Sequence, residues 1–237
     1  MSEFCIKDNY KINDVNITKD EISNNSYWDE SRIYSAEMYQ FPVYKFLAKF
    51  IKNNNIGSII DIGCGVARKL DYLHKVIPEL SIIGIDQPDP INFCKNNYDF
   101  GKWYSDDFEN TNLGLEIKSK LVISVDVIEH LINPDHLLDY VKQKLDFDGH
   151  VLISTPERDS LWGVDCDHSP NKFHVREWNF DELERYLDSK GFEIIDHFLQ
   201  YPVKITLNKI FYKEIISRAL RFKPLKYNQV VIAKVKK

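Results

Sequence analysis

The sequence predicts an α/β fold: a doubly wound, mostly parallel sheet with helices on both faces. Three observations carry that expectation. From residue 58 onward, apolar runs alternate with stretches of helical period. The runs SIIDI, SIIGID and KLVISV are nearly continuous in apolar residues, the pattern of strands buried on both faces. The first of them ends in a glycine turn, DIGCG, that leads straight into a helical pattern.

Taken in order, residues 1 to about 25 are polar, rich in Asn, Asp and Lys, and read as irregular. Tyr27 to Ile51 reads as helical patches broken at Pro42. SIIDIG is the first strand. ARKLDYLHKVI follows with Leu70, Leu73 and Ile77 on one helical face, and Pro78 stops it. SIIGID is the second strand, GKWYSD a short third and KLVISVDVI the fourth. Asn133 caps the next helix and Pro134 suits its first turn. FDGHVLIST is a turn and a fifth strand. Residues 155–178 form a connection of the length of functional lids or disordered segments. NFDELERYLDSKG is a helix with a capping box, Asn179 with Glu182, and a stop at Gly191. FEIIDHFLQ and YNQVVIAKV are two late strands around a helical segment near residues 206–220.

Composition narrows the classes. The 237 residues make one or at most two domains, with enough apolar content for a sizeable core. Lys and Arg number 31 against 36 Asp and Glu, a net charge of -5, which argues against a wholesale nucleic-acid binder. No run approaches the length of a membrane span, and the first ten residues lack the layout of a signal peptide. Cys5, Cys64, Cys94 and Cys166 form no CxxC pair and no zinc framework, so reduced thiols in a cytoplasmic protein are expected.

The glycine turn points to a ligand. Gly63 and Gly65 would let the backbone approach one at the carboxyl ends of the strands. A plain strand-to-helix turn is the alternative for the bare motif. Asp86 ends the second strand, where a carboxylate can hold both hydroxyls of a ribose. Asp61 would repel a pyrophosphate but suits a ligand with an amino group and a positive centre. Arg68 stands where a dinucleotide site wants its third glycine. A cationic adenosine ligand is therefore favoured over NAD.

IIDIGCGVARKL, SIIGIDQ, SDDFEN, LVISVDVIEHL and GHVLISTPE, in this order, resemble the successive motifs of class I S-adenosylmethionine-dependent methyltransferases. The resemblance covers roughly residues 56–200. It implies a Rossmann-like methyltransferase fold: seven strands, the last antiparallel, with residues 1–55 as an N-terminal helical cap on a 56–237 methyltransferase domain. It also implies that Gly63 and Gly65 shape the loop around the cofactor's methionine part, that Asp61 supports its amino group, and that Asp86 binds the ribose with Gln87 beside it. Asp107 and the Phe108 backbone fall where the family recognises adenine. For Asp106 and Asp107 a plain acidic turn is the alternative.

Two further pieces carry the chemistry. VDVIEHL places Asp126, Glu129 and His130 at the end of the fourth strand, and HVREW places His174 at the end of the lid. Together with TPERD they resemble methyltransferases of the ubiquinone-biosynthesis type and those of bacterial surface-polysaccharide synthesis. A sugar hydroxyl is a weak nucleophile that needs a positioned base, and His130 is the candidate, with Glu129 and His174 beside it; the alternatives are that Glu129 braces the neighbouring loop and that His130 only hydrogen-bonds a backbone carbonyl. The same pieces resemble small-RNA 3′-end ribose methyltransferases, which implies a divalent ion, Mn or Mg, on Asp126, Glu129, His130 and His174. The DCDH run, Asp165 to His168, is either a ligand cluster or a solvated loop.

Residues 201–237 hold ten Lys or Arg and one acid, Glu214, a local charge of +9. Such a segment suits phosphates, whether on a nucleotide-linked sugar, a membrane surface or RNA; the alternative is a helix that packs Ile210, Phe211, Ile215 and Ile216 on the sheet and leaves its lysines solvated. The expected function is O-methylation of a sugar or sugar nucleotide for a surface glycan. RNA ribose methylation, or O- or N-methylation of another small molecule, is the second reading, and a non-catalytic cofactor-binding partner the third.

Overall fold

The computed structural model describes residues 4–13, 30–111, 113–114, 116–200, 212, 216, 220 and 228–237. The helix α1 runs Glu30–Asn53 and is followed by β1 (Ser58–Ile62), α2 (Arg68–Val76) and β2 (Ser81–Asp86). Next come α3 (Pro88–Asn97), β3 (Gly101–Ser105), β4 (Ser119–Val125) and a single 3-10 turn, Ile128–His130. The chain then forms α4 (Pro134–Lys144), β5 (Leu145–Pro156), α5 (Arg158–Trp162), α6 (Phe180–Ser189), β6 (Phe192–Gln200) and β7 (Asn228–Val235).

The seven strands lie in the order β3-β2-β1-β4-β5-β7-β6. All neighbours are parallel except those of β7, which is antiparallel to both β5 and β6. The order reverses between β1 and β4, so the crevice outside their carboxyl ends is where a ligand belongs in such a sheet. Side chains alternate along the strands between two cores. Ile60, Ile62 and Val122 face one core with α4 and α6; Ile59, Leu121 and Ile123 face the other with α1, α2 and α3.

Four expectations need correction here. Pro42 does not break the first helix; it sits inside α1. An interior proline costs about 3 kcal/mol. The face around it buries Val43, Tyr44, Leu47 and Ile51 completely or nearly so. Each such side chain contributes about 1.5–3 kcal/mol, so packing wins. The helix α3 was absent from the expected order, because PDPINFCKNN carries turn residues and a weak apolar stripe. Prolines at its start fit the first turn, and Ile91 and Cys94 reach the core. Residues 4–13 are irregular but docked: Ile6 is buried, Phe4 and Tyr10 pack on the same core, and Trp178 Nε1 donates to the Phe4 carbonyl at 2.9 Å. The long connection after β5 contains α5, capped by Glu157, whose carboxylate accepts the Asp159 and Ser160 amides.

Other readings hold. Asn133 caps α4 through the Asp135 amide, and Asn179 with Glu182 forms both halves of the capping box on α6. Tyr212, Ile216 and Leu220 are helical and exposed; the rest of the expected 206–220 segment, and nearly all of the basic stretch before β7, lie outside the described residues. Among the described residues no helix is long and apolar enough to cross a membrane.

Candidate active site

The glycine turn between β1 and α2 is built as its sequence requires. Gly63 has φ +86° and Gly65 φ +56°. Ala67, which opens α2, also has a positive φ of 55°, a conformation that favours glycine. Asp86 closes the turn from β2: its Oδ2 accepts the Gly65 amide at 2.6 Å and its Oδ1 the Gln87 amide at 2.7 Å. The ribose-binding candidate thus also holds the glycine loop against the start of α3. Burial raises the Asp86 pKa, and these two amides pull it back.

Beneath the loop lies a buried polar group that the sequence reading found only in part. Asp61 is fully buried; Tyr44 of α1 donates to its Oδ2 at 2.6 Å, while Oδ1 has no hydrogen-bond partner. Lys69, in the first turn of α2, reaches back and donates to Gln40 Oε1 of α1. Burial pushes the Asp61 pKa up to about 7, against the Tyr44 hydrogen bond and the Lys69 charge, which lower it. An orphaned, buried carboxylate oxygen is what the N–H of an incoming ammonium group would satisfy. The donor set fits the cationic end of S-adenosylmethionine.

A pH test follows. A folded pKa of about 7 for Asp61 exceeds the unfolded carboxylate value of about 3.9. The folded state therefore holds a proton the unfolded state has released. That contribution to stability is complete below the unfolded pKa and is lost as pH rises through about 7. Asp61→Asn keeps an acceptor for Tyr44 but cannot ionise. Thermal unfolding of the ligand-free protein between about pH 5 and 8 should show a downward slope that is shallower in the variant, the buried Asp86 and Glu129 supplying the remainder. Parallel curves for the two proteins would contradict this.

At the carboxyl end of β3, Asp106 accepts the Asp107 amide at 2.9 Å and the Leu113 amide at 3.2 Å. Asp107 Oδ1 accepts the Glu109 amide at 3.0 Å, and Phe108 is buried in the core beside Tyr140. Both remain at the crevice end expected for adenine recognition, with Asp107 organising a tight turn.

The second constellation sits past β4. Glu129 is fully buried in the 3-10 turn; Thr155 of β5 donates to its Oε2 at 3.0 Å, and Oε1 has no partner. Burial, and after it the charge of Asp126, holds the Glu129 carboxyl well above the usual range. His130 Nδ1 lies 2.7 Å from the Phe173 carbonyl oxygen. A carbonyl only accepts, so Nδ1 carries a hydrogen, and in the neutral ring Nε2 then holds the lone pair. His174 meets His130 edge to face, with ring centroids 4.8 Å apart. Its Nδ1 pairs with Glu177 Oε1 at 2.5 Å, and its Nε2 accepts from the Asn171 amide at 2.8 Å. Potential ligand atoms of Glu129, His130 and His174 all lie within 4.8 Å of one another.

Asp126 stands apart from that group, a correction to the expected four-ligand set. Its φ is 56°, and its carboxylate accepts Ser154 Oγ at 3.0 Å and Asn228 Nδ2 at 2.9 and 3.1 Å. The left-handed turn after β4 aims Asp126 at β5 and β7, whereas the 3-10 turn swings Glu129 and His130 toward the lid. DCDH is likewise no ligand cluster. Asp167 pairs with its neighbour His168 and with Lys11, on an exposed loop.

The lid is brought to β4 by residues the sequence reading had not singled out. The Val175 amide donates to the Glu129 carbonyl at 2.8 Å. Arg176 is buried and donates to the Leu131 and Ile132 carbonyls, both at 2.9 Å. Glu177, fully buried, orients His174 while accepting Ser169 Oγ at 2.8 Å and Trp162 Nε1 at 2.6 Å. Asn13 ties the N-terminal segment to the Ser169, Asn171 and His174 carbonyls. HVREW offered the signal: a polar pentad ending in Trp directly before a capped helix.

Comparison with known proteins agrees with this architecture. A family model described as "Methyltransferase domain" matches residues 34–197, well over half the chain. A mitochondrial ubiquinone biosynthesis O-methyltransferase of Dictyostelium discoideum is 21% identical over 192 residues, covering 71% of this chain but only 57% of that protein's length. Among solved structures, the complex between the Haloferax volcanii Trm112 methyltransferase activator and a methyltransferase contains a chain that superposes with a TM-score of 0.66 at 12% identity, covering 88% of this chain and 95% of that one. The plantazolicin methyltransferase BamL, bound to S-adenosylhomocysteine and a desmethyl plantazolicin analogue, gives 0.62 at 16% identity, covering 92% and 91%. An S-adenosylmethionine-dependent methyltransferase from Clostridium acetobutylicum gives 0.61 at 14%, covering 90% and 100%.

Proposed function

The chain belongs to the class I S-adenosylmethionine-dependent methyltransferases, and from that premise we propose that it methylates a hydroxyl oxygen of a sugar or sugar nucleotide in surface-glycan biosynthesis. The observation that carries the choice of oxygen is the convergence of His130, Glu129 and His174 at the carboxyl end of β4. A hydroxyl must lose its proton as it attacks, and a neutral imidazole with its lone pair at Nε2 is fitted to take it. The Dictyostelium relative, by its name, is also an O-methyltransferase.

Bound S-adenosylmethionine would supply an electrophilic methyl group for transfer to the acceptor oxygen, its sulfur keeping the carbon–sulfur electron pair. Asp86 holds the ribose, assisted by Gln87, and Gly63 and Gly65 let the loop close over the methionine end. Asp61 takes the ammonium, and Asp107 with the Phe108 backbone receives the adenine. His130 accepts the hydroxyl proton at Nε2, with Nδ1 locked on the Phe173 carbonyl to keep that tautomer. Glu177 holds the His174 ring in place as a neighbouring contact for the acceptor.

A phosphorylated or nucleotide-linked acceptor matches the +9 charge of residues 201–237, which would meet its phosphates. Peripheral contact with an anionic membrane is the other use of that charge. The four cysteines are all free thiols, in keeping with a cytoplasmic reaction.

A second reading is favoured by one observation: Glu129 Oε1 is buried with no partner beside two imidazoles. Glu129, His130 and His174 could together hold Mn or Mg, leaving positions for an acceptor's hydroxyls, as ribose 2′-O-methylation of RNA would use. His174 ligation through Nε2 requires the Asn171 amide to turn aside.

One experiment separates these. The purified enzyme is assayed with S-adenosylmethionine against nucleotide-linked sugars and 3′-terminal RNA oligonucleotides, with EDTA and then with added Mn or Mg. The proposal expects methylated sugar nucleotide and activity unchanged by EDTA. Methylated RNA that is lost on chelation and restored by Mn would replace it with the second reading.

A further inference from the structure

One buried charged side chain in the helix that follows the glycine turn has no role in the reading above. Lys69 is only 8% exposed, a rare state for a lysine. Its Nζ is held by Gln40, a neutral amide, and lies 5.6 Å from the centroid of the Tyr44 ring. By charge it acts on Asp61, Asp86 and Asp126 alike. Yet among the described residues it forms no ion pair with any of them. A lysine kept only to neutralise buried acids would be expected to bond one directly, because direct pairing is what offsets the desolvation of a buried charge. Here the ammonium stands among three carboxylates and faces none at contact distance.

We propose that Lys69 is the anchor for the carboxylate of the cofactor's methionine moiety, with Asp61 as its counterpart for the ammonium. This rests on the S-adenosylmethionine reading of the pocket. The amino-acid end of that ligand carries one positive and one negative group on the same carbon. The pocket offers the complementary pair on either side of the glycine turn. Asp61, at the end of β1, presents a buried oxygen with no partner. Lys69, in the first turn of α2, has three N–H donors, of which Gln40 occupies one. The start of α2 adds the positive end of a helix dipole to the same place. Without Lys69 the chamber would hold only acids, and an incoming carboxylate would meet Asp61, Asp86 and Asp126 with no compensation. Gln40 then acts as the parking site for the ammonium when no cofactor is bound, and α1 contributes to the pocket through Gln40 and Tyr44.

The test is calorimetric and needs no acceptor. S-adenosylhomocysteine and 5′-methylthioadenosine share the adenosine and sulfur, but only the first has the amino-acid end. Lys69→Met should weaken S-adenosylhomocysteine by about 10–100-fold, the scale of a lost charge-assisted hydrogen bond. Its affinity for 5′-methylthioadenosine, which feels Lys69 only through the Asp86 that holds the shared ribose, should fall several-fold less. Equal losses for both ligands, or no loss for either, would overturn the assignment. A measurement on the wild-type protein stands beside it should the variant fail to fold. Decarboxylated S-adenosylmethionine should bind about 10–100-fold more weakly than S-adenosylmethionine. Equal affinities would also overturn the anchor. Wild-type protein that binds 5′-methylthioadenosine but not S-adenosylhomocysteine would refute Lys69 alone. Protein that binds none of these ligands would refute the cofactor reading, and the anchor with it.

Discussion

His130→Ala should lower turnover on the acceptor by about a hundredfold or more while leaving S-adenosylhomocysteine affinity at the wild-type value. The size follows from losing a positioned general base whose tautomer is set by the Phe173 carbonyl. The selectivity follows from position. His130 lies past β4 and against the lid, whereas the cofactor-pocket residues Asp61, Gly63, Gly65 and Asp86 lie at the ends of β1 and β2. Single-turnover kinetics and calorimetry on one preparation check both halves. Added imidazole should restore part of the activity if the ring acts as a base. A variant with full turnover, or one whose main defect is cofactor binding, would remove His130 from the chemistry.

Gly63→Ala should have the largest effect on the pocket itself. At φ +86° a side chain is strained by about 1–2 kcal/mol. A Cβ there would also lie 2.2 Å from Val127 Cγ2. Val127 is buried in the core between β4 and the 3-10 turn, so it has little room to yield. Overpacking of this kind adds about 1–3 kcal/mol. Together they should lower the melting temperature by roughly 4–20 °C and weaken S-adenosylhomocysteine binding. Differential scanning calorimetry and ligand titration would show it. Gly57→Ala is the control, since nothing lies within 4 Å of a Cβ at that position. A Gly63→Ala protein that melts and binds like the control would contradict the packing argument.

Much of the fold could be read along the chain because its signals are local. Buried parallel strands announce themselves as apolar runs, and caps such as Asn133 and Asn179 are recognised within three residues of where they act. The glycine turn, Asp86 and the EH pair have fixed places relative to strand ends, so the crevice and the residues facing it were legible. Pro42 misled because a local helix-breaking signal was outweighed by burial of α1 on the sheet, which no short window reveals.

What the sequence determined alone was the order of the seven strands, the glycine turn, and the residue types at the crevice. What the tertiary structure decided was which of those residues meet. Asp126 is two residues from Ile128 and the turn that carries Glu129, yet it pairs with Asn228, 102 positions away, because β7 inserts between β5 and β6. His174 reaches His130 because Arg176 and the Val175 amide bind the carbonyls after β4. Lys69, a charged residue near the start of α2, is buried because α1 covers it with Gln40 and Tyr44. The physical reason is common to all three. A side chain's type is written in one position, but its burial and its partners depend on segments far along the chain that pack against it only once the sheet has assembled.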